Sequence, residues 1–264
     1  ETFSDDAILA SKILSITLTK RANGAASAIE LAGFPYHALD TYLPKLVRAG
    51  QRVAICDQLE NPKDVKGIVK RGVTELVTPG VSFNDNVLDV KKNNYLAAVY
   101  INKKKCGVAF LDISTGEFMT AEGDAAYVDK LLQSLRPSEV IFCKNQREKY
   151  EEVFGDDYNT YKLEDWVFQY DYAFETLTKH FKTTSMKGFG IENLREAIIA
   201  SGAALHYLAE TEHNETEHIA HISRIEEEHY VWLDKFTIRN LELVFPQHGS
   251  GVPLIDILDH TQTP

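Results

Sequence analysis

Three apolar stretches in close succession constrain this chain more than anything else in it: "YLAAVYI" at 95–101, "CGVAFLDIS" at 106–114 and "GEFMTAE" at 116–122. Each has the length and β-branched or aromatic content of a strand. The polar "NKKK" and the Thr115–Gly116 pair between them are hairpin-length connections, so the three should form an antiparallel meander. Beyond it the pattern alternates: a helix over Ala125–Leu135, the strand "SEVIFC", a further helix, a weak strand near Thr160, then a long helix from Ile191 with Leu194, Ile198, Leu205 and Leu208 on one face. Three antiparallel strands followed by alternating helices and strands is the order of an RNase H-like fold.

Upstream, the chain reads as a separate α/β unit. Ser4 is placed to cap a helix with Asp5 and Asp6 in its first turn. That helix runs into the strand "SITLTKR", the loop "ANGAAS" and an extended piece around Ile29–Leu31. "ALDTYLPKLVRAG" reads as a helix closed by Gly50, with Pro44 implying a late start or a kink. "RVAICDQ" and "GVTELVTPG" read as strands and "NPKDVKGIVK" as a short helix. A linker is expected near 82–94, where the apolar periodicity lapses. After "ETEHNETEHIAHIS" the chain changes again, into a mainly helical third segment with nothing to close a core of its own. That ending, and a first helix beginning within four residues of Glu1, suggest a piece of a longer chain.

Charge narrows the partners. The net charge is −11, which on average disfavours nucleic acid. Residues 1–90, however, carry 10 Lys and Arg against 11 Asp and Glu, while the remainder carries 18 against 28. The basic residues of the first part are clustered, with Lys20 and Arg21 side by side. No apolar run is long enough to span a bilayer, and Cys56, Cys106 and Cys143 read as reduced thiols of a cytoplasmic protein.

Metal and nucleotide chemistry find little support. An RNase H-like nuclease needs a carboxylate on its first strand, and 95–101 has none; Asp112 and Glu117 stand alone. The His213, His218 and His221 group, with Glu212 and Glu217, would place His218 and His221 near one helical face, but it lacks a zinc-binding motif. No phosphate-binding glycine loop is present. Hence no catalytic residue, metal or cofactor is assigned to this chain.

The stretches "ITLTKR", "LAGFPYHALDTYLPKLVRAGQRVAICDQLENP", "KGIVKRGVTELVTPG", "LDISTGEF", "GFGIEN" and "LDKFTIRNLEL…LIDILDHTQTP" together resemble the N-terminal part of the MutS family of bacterial DNA mismatch recognition proteins. The resemblance implies an α/β chain in three parts. A mixed-sheet mismatch-binding domain (1–88) is followed by an RNase H-like connector domain (89–215) and the beginning of a helical core or lever domain (216–264). It implies that Glu1, followed by Phe3, Asp5, Asp6 and Ala7, is the glutamate of a Phe-x-Glu motif whose phenylalanine would lie two residues upstream. In that motif an aromatic ring wedges beside the mispaired base from the minor groove, and the glutamate hydrogen-bonds the base edge. It further implies DNA contacts at Lys20, Arg21, Leu31, Tyr36 and His37, and a docking surface for MutL near His206 and Tyr207. The intact family protein is a homodimeric, ATP- and Mg-dependent, cytoplasmic sensor of mismatched double-stranded DNA. This chain, without the ATPase and clamp parts, is expected to be no enzyme by itself.

Overall fold

A computed structural model describes residues 1–23, 26–61, 67–81, 93–103, 105–211, 216–226, 233, 235–244, 246, 248 and 251–261. The chain is a mixed α/β protein. Its first part begins with a short strand, β1 (Thr2–Phe3), and helix α1 (Ser4–Leu14). Ser4 lies inside the helix with φ +52, and the N-cap is Phe3, which offers no side-chain bond, so the expected serine cap is absent. Strands β2 (Thr19–Asn23) and β3 (Ala26–Ala32) complete a three-stranded sheet in the order β1-β3-β2, with both pairings antiparallel.

A 3-10 turn at Tyr36–Ala38 leads into α2 (Leu39–Arg48), which passes through Pro44 rather than starting at it. Gly50 follows with φ +78, the left-handed conformation that ends a helix at least cost with glycine. Strands β4 (Val53–Gln58) and β5 (Arg71–Val77) pair antiparallel as a separate ribbon. Of the helix expected at 61–70, residues 62–66 lie outside the described residues, and 67–70 are not helical. The core here is small: Ala10, Leu14 and Leu46 in one cluster, Leu43, Val47 and Val77 in another. Most of the expected linker, 82–92, lies outside the described residues.

The second part has the expected meander, β6 (Tyr95–Ile101), β7 (Cys106–Asp112) and β8 (Phe118–Gly123), paired antiparallel in sequence. Helix α3 (Ala125–Leu135), with Asp124 accepting from Tyr127 N as N-cap, returns the chain to β9 (Glu139–Cys143), which lies parallel to β6. Helix α4 (Arg147–Phe154) does the same for β10 (Thr160–Leu163), parallel to β9. The resulting order, β10-β9-β6-β7-β8, is that of an RNase H-like sheet.

Strand alternation sorts the sheet's side chains into two layers. Leu96 and Ala98 pack with helices α5 (Tyr170–His180) and α6 (Arg195–Glu210), whereas Ala97, Val99 and Ile101 pack with α3 and α4. Helix α6 begins at Arg195, later than expected. It is buried nearly all round because α5 covers the side that the sheet does not.

A two-residue strand, β11 (Ser223–Arg224), adds to β8 in parallel. The sheet thus takes its edge from residues that the sequence pattern assigned to the third segment. That segment's described part holds two short helices, α7 (Lys235–Asn240) and α8 (Leu254–Leu258).

Candidate nucleic-acid interface

The register of the β1-β3-β2 sheet decides which expected contact residues share a surface. Phe3 stands opposite Leu31, and Leu31 opposite Thr19; two residues along, Ile29 stands opposite Arg21. Side chains alternate along strands, so Phe3, Thr19, Leu31, Ile29 and Arg21 belong to one face and Thr2, Ala32, Glu30 and Lys20 to the other. Ala32 is buried, so the second face turns towards the core at that end, while Lys20 at its other end is exposed. The first face is open at Phe3, which is 47% exposed, and at Thr19 and Arg21, while Leu31 and Ile29 are half-buried.

Lys20 and Arg21, expected to act together, are therefore divided between the two faces. Lys20 lies 3.6 Å from the Glu30 carboxylate, an ion pair at a site open to solvent. Arg21 is the cation of the open face.

Glu1 is exposed and packs on the bare backbone of Gly33, where a Cβ would fall 3.3 Å from its Cγ. The segment from Gly33 carries Phe34, stacked on Tyr42 of α2 at 4.6 Å, which anchors the chain just before the 3-10 turn. Tyr36 and His37 on that turn are exposed, Tyr36 at 81%. The geometry thus combines a carboxylate beside a glycine, an exposed Phe3 opposite the half-buried Leu31, a cation at Arg21 and a projecting tyrosine. Flat apolar groups with a few polar ones are what a widened minor groove accepts, since they lie against unstacked bases while the polar groups meet base edges and phosphates. Phe3 escaped the sequence assignment; its opposition to Leu31 depends on a long-range pairing.

At the expected docking surface, His206 and Tyr207 part company. Tyr207 is fully buried and its hydroxyl donates to Glu139 Oε1 at 2.7 Å, so it presents nothing to a partner, a correction forced by the burial of α6 on nearly every side. His206 is half-buried beside Trp166 and Tyr172, with ring centroids 5.0 and 5.6 Å away, and its Nδ1 is 2.7 Å from the Tyr172 hydroxyl. Burial holds the His206 imidazole below its usual pKa. Trp166 is 53% exposed, an unforeseen aromatic at this surface.

The carboxylates that could have served a nuclease are engaged in structure. Asp112 is buried and accepts from Asn94 N, Ser114 N and Ser114 Oγ, which fixes the β7–β8 turn. Glu117 accepts from the Tyr95 hydroxyl and Asn93. His213 and Glu212 lie outside the described residues. His218 is not on a helix, and its Nε2 is 2.7 Å from the carbonyl of Ile113. Among the described residues no group of three or more potential ligands could hold a metal ion.

The model of MutS domain I matches residues 1–86 and that of MutS domain II matches 94–220. The chain is 70% identical over all 264 residues to the DNA mismatch repair protein MutS of Cytophaga hutchinsonii, covering 31% of that relative. Identity is 60% to the protein of the same name from Flavobacterium johnsoniae and 60% to that from Bacteroides thetaiotaomicron, again over the whole chain and about 30% of each relative. The chain thus spans about a third of the length of the curated relatives it matches, and with domains I and II in order it belongs to the MutS family.

Proposed function

We propose that this chain is the DNA-reading end of a mismatch sensor, with residues 1–88 contacting mispaired double-stranded DNA. The carrying observation is the exposed Phe3 standing opposite the half-buried Leu31, with Arg21, Glu1 and Tyr36 exposed, an apolar surface with charged edges on a three-stranded sheet. A mispaired step costs less to unstack and kink than a paired one, so a surface that profits only from a kinked duplex selects the mismatch. The aromatic wedge itself belongs two residues before Glu1.

In the whole protein this part works within a homodimer that binds ATP and Mg through other segments; this chain by itself holds no cofactor and hydrolyses no nucleotide. The exposed Trp166 with the half-buried Tyr172 and His206 is the proposed surface for MutL. The cytoplasmic location proposed here follows from the family resemblance; separately, among the described residues no helix is long and apolar enough to cross a membrane.

Photo-crosslinking tests the interface. A duplex carrying 5-bromouracil beside a G·T pair should label peptides within residues 1–37. Labelling confined to connector peptides would refute the assignment.

A further inference from the structure

The strand leaving the first domain enters the second as a buried wedge. Val77, Thr78 and Val81 are all at most 1% exposed, and Pro79 and Gly80 between them are buried as well. Thr78 and Val81 exchange backbone hydrogen bonds at 3.1 and 3.2 Å, closing a tight turn, and the Pro79 carbonyl accepts from Asn94 Nδ2 at 3.1 Å. The first residue of β9, Glu139, reaches into that turn. It is 2% exposed; its Oε2 accepts from Thr78 Oγ1 at 2.5 Å and Gly80 N at 3.1 Å, and its Oε1 accepts from the Tyr207 hydroxyl of α6. The turn tolerates only glycine at 80, where a Cβ would stand 2.8 Å from Glu139 Cβ.

A second contact lies alongside. The Arg52 guanidinium, just before β4 of the first domain, rests 3.4 Å over the ring of Tyr161 on β10 and 5.4 Å from that of Tyr207. Its Nε is buried without a hydrogen-bond partner, so ring faces take the place of acceptors. Gly50 lies against Asn159 of the connector, where a Cβ would meet Oδ1 at 2.7 Å. Tyr207 is therefore shared: its hydroxyl serves Glu139 and its ring faces Arg52.

We propose that Glu139 and Arg52 form an interdomain pin that holds the first domain at one fixed angle on the connector. Burying a carboxylate is expensive, and three donors from two domains compensate it only in one relative placement. The arginine is held in its charged form: burial opposes the charge, but Tyr207, Tyr161 and the Glu139 carboxylate outweigh it and raise the pKa. A cation stacked on one domain's rings and a carboxylate capped by the other domain's turn together resist both sliding and rotation. The consequence for DNA reading rests on the proposed function: a duplex gripped by the first domain moves with the connector as one body, so bending at the mismatch is transmitted instead of being absorbed at a hinge. Glu139 and Arg52 are positioning residues that touch no DNA.

Pulsed electron resonance on the full chain tests the pin without DNA, so its failure leaves the DNA-binding reading standing. Spin labels are placed on the exposed Cys56 and on Glu148→Cys of α4, both open to solvent. The parent should give one narrow distance distribution. Arg52→Ala and the isosteric Glu139→Gln should each broaden it at least two-fold in width while circular dichroism and the thermal transition of the connector persist, and the double variant should broaden it little further. Unchanged widths in folded Arg52→Ala would overturn the proposal. Arg52→Ala removes nothing from the connector's core, so it decides the matter even if Glu139→Gln fails to fold.

Discussion

Gly107 on β7 sits directly under the start of α6, and replacing it with alanine should break the connector's packing. A Cβ there would lie 2.0 Å from the Glu196 carbonyl oxygen, 2.1 Å from its carbon and 2.6 Å from Ala197 N. All three are backbone atoms, so no side-chain rotation relieves the overlap. Ordinary contact requires strand and helix to separate by more than about 1 Å, in an interior that is packed at crystal-like density. The helix has no room to withdraw, because on its far side Gly202 meets Ala173 so closely that a Cβ would stand 2.4 Å from the alanine's own. Overpacking typically costs about 1–3 kcal/mol; with rigid backbone on both sides we expect the upper end, ~3 kcal/mol or more. In a chain of this size that corresponds to a Tm lower by about 6–12 °C. Urea denaturation followed by far-UV circular dichroism, with calorimetry, measures both. Gly188→Ala is the control, since nothing lies within 4 Å of the added methyl and the loss should stay within about 0.5 kcal/mol. A loss below about 1 kcal/mol for Gly107→Ala would refute the described seating of α6 on β7.

Three further outcomes follow from burial and charge. Under native conditions a disulfide reagent should modify Cys56 rapidly and leave Cys106 and Cys143 unreacted, since both are buried and burial raises the Cys143 thiol to about 12; rapid modification of all three in the folded chain would contradict this. Burial also raises the pKa of Tyr95, Tyr150 and Tyr207 above the unfolded value of 10.0, so their contribution to stability is intact below pH 10 and is lost as pH rises further; tyrosinate absorbance should appear together with unfolding, and ionisation of all tyrosines near pH 10 with the fold intact would oppose it. Burial works against the Glu196 carboxylate, but Asn102 Nδ2 at 2.7 Å and its other partners hold its pKa below 4.5. Its contribution is therefore present above pH 4.5 and lost as pH falls through the folded value, so Glu196→Gln should flatten the acid limb of the stability profile, and an unchanged limb would refute it.

The connector's sheet was legible because its signals are local: alternating apolar strands joined by hairpin-length spacers leave few alternatives to a meander, and the helices between the later strands force parallel pairing. Helix α5 was not legible as an element, since only Ala173 and Leu177 of its eleven residues are fully buried and its aromatic residues blur the period. Strand β11 has two residues and exists only through its pairing with β8, more than 100 positions earlier. Ser4 satisfied the pattern of a helix cap, but pairing of Thr2 and Phe3 with β3 sets the entry of α1 and makes Phe3 the cap. At the interface, the Glu1 and Tyr36 assignments came from family resemblance, and both residues lie exposed in the structure. Lys20 and Arg21 are neighbours in sequence, and for that very reason they fall on opposite faces of a strand. The bonds made by Glu139 were not legible in the sequence because the groups it meets are distant, Thr78 lying 61 positions away and Tyr207 68.

Fluorescence anisotropy with a G·T duplex and its homoduplex, over a salt series, tests the central claim most directly when run on this chain and on one extended upstream through the aromatic of the Phe-x-Glu motif. A base–aromatic stack is worth about 1–3 kcal/mol, so the extended chain should prefer the mismatch by roughly ten-fold. The chain beginning at Glu1 should bind both duplexes weakly and nearly equally, with affinity falling steeply as salt rises because the remaining contacts are to phosphates. Strong G·T preference at physiological salt in the chain beginning at Glu1 would contradict the wedge account, and failure of the extended chain to bind either duplex would contradict DNA reading by the first domain.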